Sequence, residues 1–140
     1  MAIQITPHFA LSEFACREKV AEDQWIIHPV PQGLIPNLWE LCERLEIVRE
    51  KVGQPIHVLS GWRSEEVNRR CGGARLSQHL KAKAADIYVD GLPAAELHGI
   101  VLGLIRDGTL RDGGVGFYPA NANRAGWVHY DIGPVRRWRG

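Results

Sequence analysis

Two short apolar segments of the chain carry charged or imidazole side chains at alternate positions, and this alternation limits the possible folds more than any other feature. Among residues 84–89 the one charged side chain is Asp86, and the polar positions of residues 127–132 include His129 and Asp131. Side chains two residues apart lie on the same face of a β-strand. We therefore predict two strands whose apolar faces pack on the core and whose opposite faces offer Asp86 and His129 to a ligand.

Helix and strand signals alternate along the rest of the chain. Apolar residues at steps of three and four between Pro36 and Gly53 predict a long helix, and a similar pattern predicts another from Pro93 to near Gly108. The remaining predicted elements are short: a helix from Ser12 to about Val20, a helix capped by Ser64, and strands at 55–60 and 115–118. Residues 23–36 contain three prolines and a glycine and are predicted to form an irregular arm.

These elements predict one α+β domain over residues 1–140, with a small, mostly antiparallel sheet and flanking helices. Hydrophobic residues make up 45% of the chain and charged residues 24%, which excludes a disordered protein. The formal net charge of +1 gives no reason to expect nucleic acid as a partner. No apolar run reaches the roughly 18 to 20 residues of a membrane span, so we expect no membrane insertion.

The N-terminal residues and the cysteines bear on the compartment in which the protein is made. The first residues lack the basic and apolar regions of a secretory signal. Three widely spaced cysteines, Cys16, Cys42 and Cys71, predict free, buried thiols and not a disulfide framework. We therefore expect synthesis as a cytoplasmic protein.

His79, Asp86 and His129 together predict a metal site. If the strands that carry Asp86 and His129 are neighbours, these side chains converge, and His79 from the preceding loop completes the group. A carboxylate buried between two imidazoles is costly without a cation, and this is the ligand set of a zinc site that keeps its fourth position open. Taken one at a time, each residue is more often structural: a loop histidine, a strand-end carboxylate and a half-buried sheet histidine.

Six short motifs are spread over the chain: Ser60-Gly61-Trp62-Arg63-Ser64, Gly72-Gly73-Ala74, Ser77-Gln78-His79, Ala85-Asp86, Gly113-Gly114-Val115-Gly116-Phe117-Tyr118 and Trp127-Val128-His129-Tyr130-Asp131. They resemble the zinc D-Ala-D-Ala carboxypeptidase family of peptidoglycan hydrolases, whose relatives include phage L-alanyl-D-glutamate endolysins and the vancomycin-resistance dipeptidases. The resemblance runs from about residue 8 to Trp138. It implies the fold that this family shares with the hedgehog signalling domain.

The resemblance implies roles for five residues. His79, Asp86 and His129 match the zinc ligands of the family. Arg63 matches an arginine that lies beside the substrate and stabilises the oxyanion, a task suited to a permanently charged fork of donors; the alternative is a surface arginine that caps a loop. Ser77 matches a serine near the substrate, although it could equally serve only to hold its loop.

Two positions depart from the family pattern. Ala82 stands where the family has a glycine, a change that is tolerable if its φ is negative. Gly126 stands where several relatives have the acidic general base, and it cannot serve as one. By strand alternation Asp131 is the carboxylate nearest His129, and it either accepts the proton of the attacking water or orients the His129 ring. If Asp131 does neither, His57 is the next candidate.

Together these features predict a zinc peptidase that hydrolyses amide bonds in peptidoglycan stem peptides. Two kinds of enzyme stay open: a D,D-carboxypeptidase, and a murein endopeptidase or endolysin. A further alternative is a non-catalytic, zinc-containing module that binds the cell wall. We expect a monomer that reaches the wall after a phage or prophage holin opens the membrane. The basic tail, residues 136–139, is either a contact for anionic cell-wall polymer or a short solvated run of charge that needs no function.

Overall fold

Strands and helices alternate along residues 3–140, the part of the chain that the computed structural model describes. The strands are β1 (Gln4–Thr6), β2 (Phe9–Ala10), β3 (Cys16–Ala21), β4 (Gln24–His28), β5 (His57–Ser60), β6 (Ala84–Tyr88), β7 (Gly114–Tyr118), β8 (Trp127–Asp131) and β9 (Arg136–Arg139). The helices are α1 (Ile35–Val52), α2 (Glu65–Arg70) and α3 (Ala94–Arg106), with 3-10 turns at Leu11–Phe14, Gln32–Leu34 and Gln78–Lys81. Residues 1 and 2 of the predicted domain lie outside the described part.

The largest sheet has the strand order β5-β6-β8-β7-β9. Its neighbouring strands are antiparallel except β7 and β9, which run parallel. Two further antiparallel pairs are formed by β1 with β2 and by β3 with β4. The predicted α+β class, with a small and mostly antiparallel sheet and flanking helices, is confirmed. Within residues 3–140 no helix has the length and apolar character needed to cross a bilayer.

The two strands predicted from the alternating pattern, β6 and β8, are direct neighbours in this sheet. Their antiparallel register places Asp86 opposite His129. The other face of the same two strands joins the hydrophobic core through fully buried side chains: Ala85, Ile87, Val128 and Tyr130. The polar and apolar faces therefore lie as the alternation predicts, because a period of two separates them completely.

The two longer helices supply the rest of the core. Pro36 lies in the first turn of α1, where its missing N–H costs no hydrogen bond, and Gly53 ends the helix with a φ of +73°. Both helices bury one apolar stripe: Leu38, Leu41, Leu45 and Val48 of α1, and Leu97, Val101 and Leu104 of α3. Both predicted helices are confirmed, since their apolar spacing of three and four residues already defined the buried stripe.

The N-terminal region differs from the prediction. The helix predicted from Ser12 to about Val20 is wrong beyond one 3-10 turn, Leu11–Phe14, after which the chain forms β3. The arm predicted to be irregular over residues 23–36 contains β4, which pairs with β3 across a turn in which Asp23 has a φ of +62°. Pairing between the two strands across this turn overrides the helix signal of residues 12–20.

The basic segment 136–139 keeps its three arginines exposed, as a solvated run of charge predicts, but it is also part of the sheet. It forms the edge strand β9, and the parallel register places Arg136 beside Gly114 and Trp138 beside Gly116. Since Gly116 is in turn opposite His129 on β8, Arg136 and Trp138 lie on the same face of the sheet as Asp86 and His129.

The three cysteines are free, as their spacing predicts. Cys16 and Cys42 are buried, whereas Cys71, at the C-terminal end of α2, is exposed. The prediction of buried thiols is therefore wrong for Cys71, because a residue that caps a short surface helix has no core to enter.

Candidate active site

Asp86 and His129 meet on the open face of the sheet, and His79 joins them from a neighbouring turn. The Nδ1 atom of His129 lies 3.1 Å from Oδ1 of Asp86, and the Nε2 atom of His79 lies 3.4 Å from the same oxygen. His79 belongs to the 3-10 turn Gln78–Lys81, whose first N–H groups are capped by Ser77: its Oγ accepts a hydrogen bond from the His79 N–H at 3.2 Å. All three residues of this cluster are buried.

The hydrogen bonds of His79 show that its Nε2 atom is available to a cation. Its Nδ1 lies 2.6 Å from the carbonyl oxygen of Gly61, which can only accept, so Nδ1 carries the proton. The Nε2 atom is buried, is without a hydrogen-bond partner among the described residues, and faces a carboxylate oxygen. Two electron-rich atoms facing each other in a buried position need a proton or a metal ion between them.

The spacing within the cluster fits a tetrahedral metal ion. Bonds of about 2.0–2.1 Å place neighbouring ligand atoms about 3.3 Å apart, close to the observed 3.1 and 3.4 Å. One ligand atom from each residue lies within 4.8 Å of the others. Three ligands of this kind leave one position of a tetrahedral ion free. The residues present therefore fit a divalent metal such as zinc.

Asp131 supports His129 from the side opposite Asp86. Its Oδ2 lies 2.7 Å from Nε2 of His129, and its Oδ1 accepts the backbone N–H groups of Gly114 and Gly133 at 3.0 and 2.9 Å. The side chain is fully buried. Because the imidazole ring stands between Asp131 and the cluster, this carboxylate fixes which His129 nitrogen carries the proton and leaves Nδ1 facing Asp86. Of the two roles considered for Asp131, this geometry favours orienting the ring.

Both carboxylates are held in their ionised form. Burial raises the pKa of Asp86, but the neighbouring imidazoles of His129 and His79 outweigh it and bring the pKa below the usual range of a carboxyl group. The same balance lowers the pKa of Asp131, where the hydrogen bond with His129 is the main opposing cause. Burial lowers the pKa of His129, yet Asp131 and Asp86 together raise it above its usual value. The cluster is therefore an environment that attracts positive charge.

Arg63 reaches the second oxygen of Asp86. Its Nη2 donates to Asp86 Oδ2 at 3.1 Å, while Nε donates to Ser60 Oγ at 3.0 Å and Nη1 to Asn68 Oδ1 at 3.4 Å. Asp86 thus presents Oδ1 to the two imidazoles and Oδ2 to the guanidinium. The position of Arg63 is fixed by its backbone as well, because its N–H donates to the carbonyl oxygen of His79 at 3.1 Å.

Gly61 allows this loop to pass close to the N-terminal turn. A Cβ atom at position 61 would lie 2.7 Å from the Cα of Phe14, closer than any real contact. The N–H of the next residue, Trp62, donates to the carbonyl oxygen of Phe14 at 3.0 Å. The close approach places the Gly61 carbonyl where His79 needs an acceptor, so the glycine of this motif has a direct consequence for the imidazole.

Two adjoining cavities flank the cluster and share Arg63, Asp86, Tyr118 and the Gly72-Gly73 turn. The larger, of about 490 Å³, is lined also by Arg17, Trp62 and Trp127. The smaller, of about 300 Å³, is lined also by Ser77, His79, His129, Arg136 and Trp138. A ligand at the cluster therefore has two adjoining spaces beside Asp86.

The positions that depart from the family pattern have physical explanations. A Cβ atom at position 126 would lie 2.7 Å from the backbone nitrogen of Ala120 and 2.8 Å from the carbonyl oxygen of Tyr118, so an acidic side chain does not fit there. Ala82 has a φ of +56°, so the condition of a negative φ is not met: the residue adopts the left-handed conformation that a glycine adopts without strain. His57 binds Asp90 at 2.9 Å and lines neither cavity.

Arg136 and Trp138 are the site residues that the sequence analysis missed. The Trp138 ring lies against the His129 ring with centroids 4.7 Å apart, and its Nε1 donates to the Tyr118 hydroxyl at 2.8 Å. Arg136 Nη2 lies 3.2 Å from Asp131 Oδ2. The sequence contained one signal for them, the glycines at alternate positions 114 and 116. A side chain added at Gly114 would collide with the Asp131 carboxylate, and one added at Gly116 would collide with the Trp138 ring. Alternate glycines in a strand indicate that other side chains cover it.

Comparison with known proteins identifies a peptidase family whose sequence pattern covers most of the candidate site. The sequence pattern of the family described as Peptidase M15 matches residues 7–131. A protein of Haemophilus influenzae named "Probable peptidoglycan L,D-endopeptidase MepK" is 32% identical over 110 residues, which cover 75% of this chain and 54% of that protein. The chain thus spans about half the length of this curated relative. The residues Arg63, Ser77, His79, Asp86 and His129 all lie inside the matched range, whereas β9 lies beyond it.

Proposed function

The chain belongs to the peptidase M15 family, and from this membership we propose that it is a zinc-dependent peptidase that hydrolyses amide bonds in peptidoglycan stem peptides. The observation that carries the proposal is the buried cluster of His79, Asp86 and His129, in which an unpartnered imidazole nitrogen faces a carboxylate. The name of the Haemophilus influenzae relative supports peptidoglycan as the substrate. We propose a monomer that acts on the cell wall, released through a holin if the chain is of phage origin.

His79, Asp86 and His129 would hold the zinc ion. A zinc ion with three protein ligands supplies Lewis-acid polarisation of a carbonyl group and makes a water molecule more acidic. The protein's own contribution begins with Asp131, which we propose to be a positioning residue. Its hydrogen bond to Nε2 of His129 fixes the tautomer in which Nδ1 is the ligand atom.

Arg63 is proposed to stabilise the negative charge that develops on the scissile carbonyl oxygen. Three of the five guanidinium N–H groups are used by Ser60, Asn68 and Asp86, which leaves two for the substrate. These three partners hold the guanidinium in place before the reaction, as electrostatic catalysis requires. Ser77 is proposed to position His79 through its cap, and its place in the smaller cavity also permits contact with substrate.

An endopeptidase is favoured over a D,D-carboxypeptidase. A carboxypeptidase needs room for one terminal residue beyond the cleaved bond, whereas an endopeptidase must hold chain on both sides. Two adjoining cavities, of about 490 and 300 Å³, are both lined by Arg63 and Asp86, so there is room for more than one terminal residue. The name of the relative also describes an endopeptidase.

Digestion of purified sacculi, with mass analysis of the released fragments, tests the proposed function. We expect zinc-dependent release of peptide fragments whose masses place the cleaved bond inside the stem peptide or cross-link. Release of free D-alanine alone would establish the carboxypeptidase instead. Stoichiometric zinc with binding to sacculi but no released fragment would establish the non-catalytic wall-binding module.

A further inference from the structure

Arg136 brings a second guanidinium group to the cavity that contains His79, Asp86 and His129. Arg63 follows β5 at one edge of the sheet, and Arg136 lies on β9 at the other edge. The two arginines therefore approach the central strands β6 and β8 from opposite directions. Both line the smaller cavity.

The cleft formed by the two adjoining cavities has an excess of positive charge. Its cavities are lined by three guanidinium groups, those of Arg17, Arg63 and Arg136, and by one carboxylate, that of Asp86, among the residues 3–140. Asp131 adds a second carboxylate, but it is fully buried behind His129. A divalent ion at the cluster would increase the excess further. Such a cleft favours an anionic ligand.

Arg136 is held in place, and some of its guanidinium N–H groups remain free to donate to a ligand. Its Nη2 donates to Asp131 at 3.2 Å, and its guanidinium lies over the Trp138 ring at 4.8 Å. Stacking on an aromatic ring restrains the guanidinium without using its N–H groups. The side chain is 49% exposed, so its remaining donors are not committed to a buried protein partner. By contrast, Arg137 on the other face of β9 is bound to Asp112 and to the Gly113 carbonyl.

We propose that Arg136, supported by Trp138, binds a substrate carboxylate adjacent to the scissile amide and so selects peptides that carry a free carboxylate there. The inference rests on the proposed function and adds the chemical class of substrate that the site prefers. A guanidinium fork matches the two oxygens of a carboxylate. Because Arg136 lines the same cavity as His79, Asp86 and His129, a carboxylate bound to it lies beside the metal cluster.

Matched peptides test the preference. Once sacculus digestion has identified the cleaved bond, stem peptides with a free carboxylate on either flanking residue are compared with their carboxamide counterparts. A charge-assisted hydrogen bond makes us expect a kcat/KM about 10- to 100-fold higher for the carboxylate, mainly through KM. Arg136→Gln should bring the two kcat/KM values within about threefold of each other, and Arg136→Lys should restore part of the difference. Arg139→Gln, which removes one charge from the other face of β9, should preserve the preference.

Calorimetric binding of the same peptides to zinc-loaded protein gives a readout that does not depend on turnover. Tighter binding of the carboxylate to the wild type, lost in Arg136→Gln at equal zinc content, supports the proposal even if no hydrolysis occurs and the proposed function fails. The proposal is overturned if the wild type does not distinguish the two peptides. It is also overturned if Arg136→Gln weakens both equally, because the residue would then act only through Asp131.

Discussion

The Nε2 atom of His129 lies 2.7 Å from Oδ2 of Asp131, a residue two positions later on the same strand. The same imidazole presents Nδ1 to Asp86 at 3.1 Å. A strand places residues i and i+2 on one face, so the support for the imidazole comes from the strand that carries it. The carboxylate, in turn, is held by two backbone N–H groups and by Arg136. This chain of contacts fixes the ring without blocking the side that faces the cluster.

Replacement of His129 by alanine should abolish stoichiometric zinc binding. We expect about one zinc ion per chain in the wild type and none in the variant, measured by elemental analysis after dialysis. His8→Ala provides the matched control, because His8 binds Glu46 away from the cluster. Since His129 must lose its proton to bind a metal and its pKa is raised by Asp131 and Asp86, zinc affinity should begin to fall at a higher pH than it would for an ordinary imidazole. Full zinc content in His129→Ala would contradict the proposed ligand set.

Asp131→Asn separates the two roles considered for this carboxylate. As a positioning residue it should weaken zinc affinity about 10- to 100-fold, and excess zinc should restore much of the turnover. A general base would instead give a variant that retains zinc, loses most turnover and shows an altered acid limb in its pH–rate profile. Measuring zinc content and turnover on the same preparation decides between them. Wild-type values of both would exclude Asp131 from the site.

Loss of the Arg63 guanidinium should reduce turnover with little loss of zinc. Removal of one oxyanion donor typically lowers kcat about 100- to 1,000-fold, and Arg63 contacts the Asp86 oxygen that faces away from the imidazoles. Arg63→Ala is compared with Arg69→Ala, an exposed arginine of α2, by steady-state kinetics and zinc analysis. Unchanged turnover in Arg63→Ala would remove this residue from the mechanism.

Ala82 should tolerate glycine but not valine. A φ of +56° disfavours β-branched side chains, and the buried position leaves no room for added methyl groups. Ala82→Val should therefore lower the free energy of unfolding by at least about 2 kcal/mol. In Ala82→Gly the relief of about 1–2 kcal/mol of left-handed strain is offset by a lost methyl contact of about 0.8 kcal/mol and by a more flexible unfolded chain. We expect a change within about 1 kcal/mol.

Denaturant titration of the two Ala82 variants at a fixed zinc concentration checks this prediction. A valine variant as stable as the wild type would show that the backbone at residue 82 relaxes out of the left-handed region. Fixed zinc is needed because bound metal adds to the stability of the folded state.

Features that follow from local periodicity could be predicted from the sequence alone. Alternation in residues 84–89 and 127–132 defined which side chains face the core and which face the cluster, and steps of three and four defined α1 and α3. Such patterns are readable because each strand or helix repeats its own buried face. The convergence of Asp86 and His129 needed only one further condition, that the two strands are neighbours.

Features that depend on pairing between segments far apart in the chain required the tertiary structure. The docking of β9 beside β7 arises from hydrogen bonds between residues about 22 positions apart, which no local pattern contains. The tertiary structure was also needed to show that the Gly61 carbonyl sets the His79 tautomer and that Ala82 adopts a left-handed conformation. Arg136 and Trp138 have the composition of a solvated tail, and they enter the site because glycines on the neighbouring strand leave space above the sheet. The composition of a segment gives its charge and polarity, but only the packing of the folded chain shows which charged side chains face a ligand.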